Sequence, residues 1–266
     1  MIESDIVKVN ILILGCGWVG EYFARKMQDL GHRVYATTTN IEKYRRLQDS
    51  GIFAVLCDFD KTVNRNLFPE KVDFVLNSIP AVKRLEHVQL ASRFDRIKAL
   101  LDQIPFQKHI FLSSIGIYPD IDGFFDEGAE IVSSGNLHVA EQKMLALSHT
   151  VVYRLGGLFG KNRVFAKYYE GKICSTGEQP ANFVHIDDVV EIIWLGFNRL
   201  LSSSVYNVVA PEHPSKKEVI LASAKKYEFE LPLDYEDKDS FQKIVCGDQI
   251  AGELGYSFLY PSPLHF

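Results

Sequence analysis

The sequence contains no apolar run long enough to cross a bilayer, no cysteine pair at metal-binding or redox spacing, and no excess of basic residues. Each absence removes a class of function. The four cysteines, Cys16, Cys57, Cys174 and Cys246, stand far apart without a C-x-x-C pair, so neither a zinc site nor a disulfide framework is indicated. They read as reduced, small apolar residues. The eight histidines show no metal-ligand spacing either, so no metal is expected. With 29 basic and 34 acidic residues, a net charge of -5 offers no electrostatic footprint for nucleic acid. Met1-Ile2-Glu3-Ser4-Asp5 lacks a basic leader, and the apolar stretch after it has the length of a buried strand. The expectation is a cytoplasmic protein without membrane contact. Internal repeats, low-complexity tracts and long linkers are missing as well.

The sequence does carry a glycine loop in a telling context. Val9-Asn10-Ile11-Leu12-Ile13-Leu14 reads as a strand, Gly15-Cys16-Gly17-Trp18-Val19-Gly20 follows as G-x-G-x-x-G, and Glu21 to Leu30 continues as a helix that Gly31 closes. His32 to Thr38 reads as the next strand, completing a βαβ unit of about 30 residues. In that order Gly15 permits a tight turn, Gly17 admits a diphosphate to the main-chain amides, and Gly20 lets the helix pack closely on the strand. The helix N-terminus adds partial positive charge, so the loop is read as a dinucleotide cradle made by residues 15 to 20.

Further apolar runs at Phe53–Cys57, Asp73–Asn77, His109–Ser113 and Val151–Arg154 alternate with helical stripes, among them Arg93–Leu101 and Glu141–Leu147. This is the pattern of an α/β fold, a Rossmann-type doubly wound parallel sheet with a smaller C-terminal substrate lobe. Residues 1–155 read as the dinucleotide half and 156–266 mainly as the lobe, interleaved with the last sheet elements in one continuous unit. The second strand ends in Thr37-Thr38-Thr39-Asn40, where an NAD-selective site places a carboxylate on the ribose hydroxyls. Threonine hydroxyls at Thr38 and Thr39, with Lys43, Arg45 or Arg46 nearby, suit a 2′-phosphate instead, so NADP is favoured over NAD. The three cations have an alternative reading as the wet face of a helix. Asp58 is a candidate for the adenine amino group, or a turn former. Asn77-Ser78-Ile79-Pro80 falls at the carboxyl end of a strand, where open α/β sheets bind ligands.

At this point the chain resembles the short-chain dehydrogenase/reductase superfamily, in its extended branch of nucleoside-diphosphate-sugar epimerases and dehydratases. Ser113-Ser114-Ile115-Gly116-Ile117-Tyr118 looks like that branch's S-S-x-x-V-Y, and Tyr153 to Gly160 like its L-R-x-x-x-x-Y-G. Phe183-Val184-His185-Ile186-Asp187-Asp188-Val189 resembles F-V-H-V-D-D-V, and Val205-Tyr206-Asn207-Val208 resembles its Y-N-V strand. The ending, a helix from Gly247 to Leu254, then Gly255-Tyr256 and Tyr260-Pro261-Ser262, is similar to a bacterial YeeZ-like subgroup.

The resemblance implies a nicotinamide cofactor and a Tyr-x-x-x-Lys pair, which is missing here: Ser133 stands at the tyrosine position and Leu137 at the lysine position. The strings Tyr22 to Lys26 and Tyr168 to Lys172 match by letter; the first lies on the helix after the glycine loop, and Gly171 interrupts the second. Ser114 and Tyr118 remain as catalytic candidates, although an unassisted phenol near pKa ~10 suits neutral proton transfer poorly. Alternatively Ser114 caps a turn and Tyr118 packs in a wall. By the same resemblance Ser113 and Asn77 to Pro80 border the cofactor and Tyr168 borders the substrate lobe; His185 is a further substrate-binding candidate, and Arg154, at a strand end, is a candidate for an anionic substrate. Asp187 or Asp188 reads as a helix N-cap, with His185 as a brace, and Arg154 has a second reading as one half of an ion pair.

Two functions follow from this reading. One is an NAD(P)-dependent oxidoreductase, epimerase or dehydratase acting on a small polar molecule of nucleotide-sugar type. The other is a non-catalytic NADP-binding regulator or sensor. A homodimer through Arg93–Leu101 and Val139–Leu147 competes with the packing of the same stripes on the sheet.

Overall fold

The computed structural model describes residues 7–81, 85–236, 238 and 240–265; the Met1–Asp5 segment read above lies outside them. In chain order the elements are β1 (Asn10–Leu14), α1 (Trp18–Asp29), β2 (Arg33–Thr38), α2 (Ile41–Asp49), β3 (Phe53–Leu56), β4 (Phe74–Asn77), α3 (His87–Leu101), β5 (Lys108–Ser114), β6 (Gly123–Phe125), α4 (Asn136–Leu145) and β7 (Thr150–Leu155). There follow β8 (Gly157–Phe159), β9 (Ile173–Cys174), β10 (Phe183–His185), α5 (Ile186–Asn198), β11 (Val205–Val208), α6 (Lys216–Tyr227), β12 (Asp234–Tyr235), β13 (Lys243–Val245) and α7 (Asp248–Leu254).

The central sheet has seven strands in the order β11-β7-β5-β4-β1-β2-β3. From β3 through β5 the pairs are parallel, with Leu12 opposite Tyr35 on one side and Val75 on the other. Residues 11 to 14 are fully buried because helices cover both faces of such a sheet, so β1 reads as a continuous apolar run instead of an alternating one. Val19, Phe23, Ala24 and Met27 form the buried stripe of α1, and Gly31, at φ +83, turns the chain into β2. The strand order reverses between β1 and β4. Loops that follow two such strands leave the sheet in opposite directions and open a crevice at the carboxyl edge.

The chain divides into two compact units, residues 1–113 with 134–152, and residues 114–133 with 153–266. The second unit therefore takes in 114–133, and its main stretch starts at Tyr153, three residues before the 156 at which the lobe was read to start. In the first unit, Phe94, Ile97, Leu101, Ala140 and Met144 are buried, so the apolar faces of α3 and α4 are consumed inside it. The second unit has its own small parallel pairs, β8 with β10, β9 with β12 and β6 with β13. Two of its apolar clusters are Phe159, Ala181, Phe183 and Val219, and Val164, Ala166, Cys174, Ile220 and Ala224.

Candidate functional site

The first unit's crevice is built from the glycine loop upward. Gly15 has φ +75, and a Cβ there would stand 2.7 Å from Ile79 Cγ1, so only glycine fits without strain. Its amide donates to Thr37 Oγ1 (2.7 Å), and the Cys16 amide donates to the Thr37 carbonyl (2.7 Å). These two donors are thereby spent on β2. What is left for an anion is the start of α1, where Gly17 is the N-cap and no side chain caps the helix. A Cβ on Gly17 would meet nothing nearer than the Gly15 carbonyl at 3.9 Å, so the space above the helix start is open. Gly20 is the packing glycine: its Cβ would come within 3.1 Å of Ile13 Cγ2 and 3.2 Å of the Gly15 carbonyl. The start of α1 is therefore the part of the loop that could take a diphosphate.

The cradle opens into a cavity of about 760 Å³ bounded by Gly15 to Gly17, the end of β2 from Thr37 to Asn40, the segment 57–60 after β3, and Ser78 to Pro80 after β4. Thr38, Thr39, Asp58, Ser78, Ile79 and Pro80 line it. Asn77 lies behind this wall, fully buried, its Oδ1 accepting the Ile79 amide and its Nδ2 meeting Met144 Sδ. Trp18, Val19 and Gly20, expected in the cradle, are not among the residues that line the cavity.

Charge on the cavity wall comes from Lys43 and Arg46 on α2, Arg93 on α3, and the carboxylates Glu42, Asp58 and Asp60. Arg45 is exposed and is not in the wall. Arg93 grips Asp60 through two hydrogen bonds (2.8 and 2.5 Å), which hold that carboxyl below its ordinary range. Asp58 accepts the Asp60 amide, closing the turn proposed for it. Lys43 donates to the Cys16 carbonyl (2.7 Å) and pairs with Glu21 (3.0 Å). Burial raises the thiols of Cys16 and Cys57 to about 11, so neither is a thiolate at neutral pH. Sequence reasoning missed Thr37, Asp60 and Arg93. The first is visible as a third threonine, but the Asp60 and Arg93 pair spans 33 residues and leaves no local signal.

Ser113 ends the buried part of β5 and donates to Glu141 Oε1 (2.6 Å) in the first unit. In the second unit Ser114 Oγ accepts the Gly116 amide (3.1 Å), the turn-capping role. Tyr118 is buried. Its hydroxyl lies 2.9 Å from the Asp126 carbonyl and 2.8 Å from Asn207 Oδ1, and it accepts from Arg154 Nη1 at 2.9 Å. Burial pushes its pKa above the ordinary phenol value, against the pull of Arg154. Arg154 is likewise buried and directed at Tyr118.

His185 corrects the capping assignment. The N-cap of α5 is His185 itself, whose Nδ1 accepts the Asp187 amide (3.2 Å), and neither Asp187 nor Asp188 fills that place. Its ring packs on Tyr260 with centroids 3.6 Å apart, and a Cβ on Gly160 would come within 2.0 Å of Nε2. Two of the family-like motifs thus meet at this ring. Burial lowers the His185 pKa, which favours the neutral acceptor. Asp188 is buried and accepts from Tyr256 Oη and from the amides of Leu259 and Tyr260, tying down the tail. Tyr168 is 55% exposed, and Lys172 Nζ bonds the Tyr168 carbonyl instead of its phenol. Ser133 is exposed and Leu137 sits in α4. Among the described residues no cluster of three or more His, Cys, Asp or Glu could hold a metal, and no helix is long and apolar enough to cross a membrane.

No family model matches the chain. Its sequence is 28% identical to Protein YeeZ of Escherichia coli strain K12 over 280 residues, covering 96% of this chain and 97% of that protein. Among solved structures it resembles a functionally unknown conserved protein from Silicibacter pomeroyi, with 24% identity, a TM-score of 0.77, and 97% and 96% of the two chains covered. The Helicobacter pylori ADP-L-glycero-D-manno-heptose-6-epimerase superposes with a TM-score of 0.77 at 17% identity, over 97% and 94% of the chains. UDP-glucuronic acid 4-epimerase from Bacillus cereus, solved in complex with UDP-glucuronic acid and NAD, gives 0.73 at 14% identity over 96% and 95%. The fold is shared with these epimerase structures, and the likeness to YeeZ runs the length of the chain.

Proposed function

We propose that this chain binds NADP in the crevice of its first unit and is an atypical extended short-chain oxidoreductase, epimerase or dehydratase for a small polar substrate of nucleotide-sugar type. One observation carries the cofactor reading: an uncapped helix start, open above Gly17, leads into a cavity whose β2 edge ends in threonines and faces Lys43 and Arg46. A diphosphate would lie on the first turn of α1, and the adenosine end would reach the Thr38, Thr39 and Asp58 wall. When bound, the nicotinamide supplies the hydride chemistry; the chain supplies binding and orientation. Ser114 is the hydroxyl proposed to polarise a substrate oxygen. The epimerase whose structure contains UDP-glucuronic acid and NAD supports this reading by its fold.

A second reading, an NADP-occupancy sensor without turnover, is favoured by Tyr118 and Arg154, which are buried in contact with each other. Nicotinamide absorbance, followed against a panel of carbonyl compounds and nucleotide sugars, separates the two. The enzyme reading predicts turnover that falls about 100-fold in Ser114→Ala when measured on folded protein, beside the small loss of stability expected from removing its turn cap. Cofactor binding with no turnover across the panel overturns it in favour of the sensor.

A further inference from the structure

Glu21 stands directly after the glycine loop, on α1, and is 17% exposed. Its carboxylate collects three cations. Arg25 Nη2 meets Oε1 at 3.0 Å, Lys43 Nζ meets Oε2 at 3.0 Å, and Arg46 Nη2 lies 3.0 Å from both oxygens. Despite its desolvation, these partners hold the carboxyl below its ordinary pKa, so it is charged at neutral pH. Two of the three cations, Lys43 and Arg46, are in the cavity wall. The threonine end of β2 and Glu42 are their neighbours in that wall. Lys43 and Arg46 thus present two positive charges to the cavity, offset by Glu21 behind them and Glu42 beside them.

We infer that Glu21 is an internal anion occupying Lys43 and Arg46, which a dinucleotide 2′-phosphate must displace, so that this carboxylate sets how tightly the site takes a phosphorylated cofactor. The inference rests on the NADP reading above and adds a determinant outside the adenosine wall. A dinucleotide without the 2′-phosphate leaves the Glu21 pairs intact and is indifferent to them. One with it exchanges a carboxylate for a phosphate on the same two cations. The net gain is then the difference between two ion pairings, less than the whole strength of one.

The test is calorimetric titration of the full chain with adenosine 2′,5′-bisphosphate and with 5′-AMP. Wild type is expected to prefer the bisphosphate. Glu21→Gln removes the competing charge, so its affinity for the bisphosphate should rise about two- to fivefold, the equivalent of an exposed ion pair. Its affinity for 5′-AMP should stay the same, and the extra affinity should vanish at 1 M salt. Glu21→Ala is measured alongside, so that either folded variant decides. A wild type that prefers the bisphosphate while both variants bind it no more tightly overturns the role of Glu21 alone. A wild type that fails to distinguish the two ligands overturns the NADP reading, and this inference with it.

Discussion

His109 lies in β5 with no exposed surface; its Nδ1 meets Thr150 Oγ1 at 2.9 Å, while Nε2 has no hydrogen-bond partner among the described residues. Burial lowers its pKa to about 3, from an ordinary 6.5. The unfolded chain therefore takes up a proton below pH 6.5 that the native chain refuses until about pH 3, so stability is complete above 6.5 and declines as pH falls through that window. One such group costs about 1.4 kcal/mol per pH unit. His32, His185 and His213, all lowered chiefly by burial, act in the same direction. Urea unfolding should show a lower midpoint at pH 5.5 than at pH 7.5, with a shallower dependence in His109→Asn. Equal midpoints at the two pH values would refute this assignment. Nothing in the sequence marks His109 as buried and neutral beyond its place in an apolar run, whereas the three loop glycines could be assigned separate tasks from spacing alone.

At the scale of elements, the glycine loop yields a pair of opposite outcomes. Gly15→Ala forces a side chain into φ +75 and onto Ile79, and should cost about 1–3 kcal/mol of stability. Gly17→Ala places its methyl in open space at φ -78 and should stay within about 1 kcal/mol of wild type. Thermal or urea unfolding of the two variants checks this, and equal losses would contradict the geometry. β1, β2, β4 and β5 were legible because strands covered on both faces read as apolar runs. The start of α1 was not: the helix begins at Trp18 because Gly17 is its cap, three residues before the polar periodicity begins at Glu21. Strands of two or three residues, such as β9 and β12, are too short to show a period. The signal for α6 was present but unread, since Ser215 and Glu218 form a capping box. His185 escaped as a cap because neighbouring aspartates are commoner in that role.

On the scale of the whole molecule, the fold was readable from the order of motifs, and the partition into units was not. Residues 114–133 join the second unit through contacts no local pattern announces: Gly123 to Phe125 pair with Lys243 to Val245, and Lys243 Nζ reaches Asp120 (2.7 Å) across 123 residues. A pairing of that sequence separation is a tertiary property. The loop and strand ends of the crevice were legible for the opposite reason, because they lie within the βαβ unit and the strand ends that follow it, with Lys43 and Arg46 on the next helix; Arg93, on α3, was not. Binding there should stabilise the native chain, with a melting temperature that rises with dinucleotide concentration. The most direct measurement is isothermal calorimetry of the purified chain with NADP and NAD, beside Gly17→Ala. The account predicts saturable binding by wild type, NADP the tighter of the two, and a loss of at least about tenfold in the folded variant as its methyl enters the diphosphate space. Heat from neither cofactor, or a variant that binds as wild type does, would contradict it.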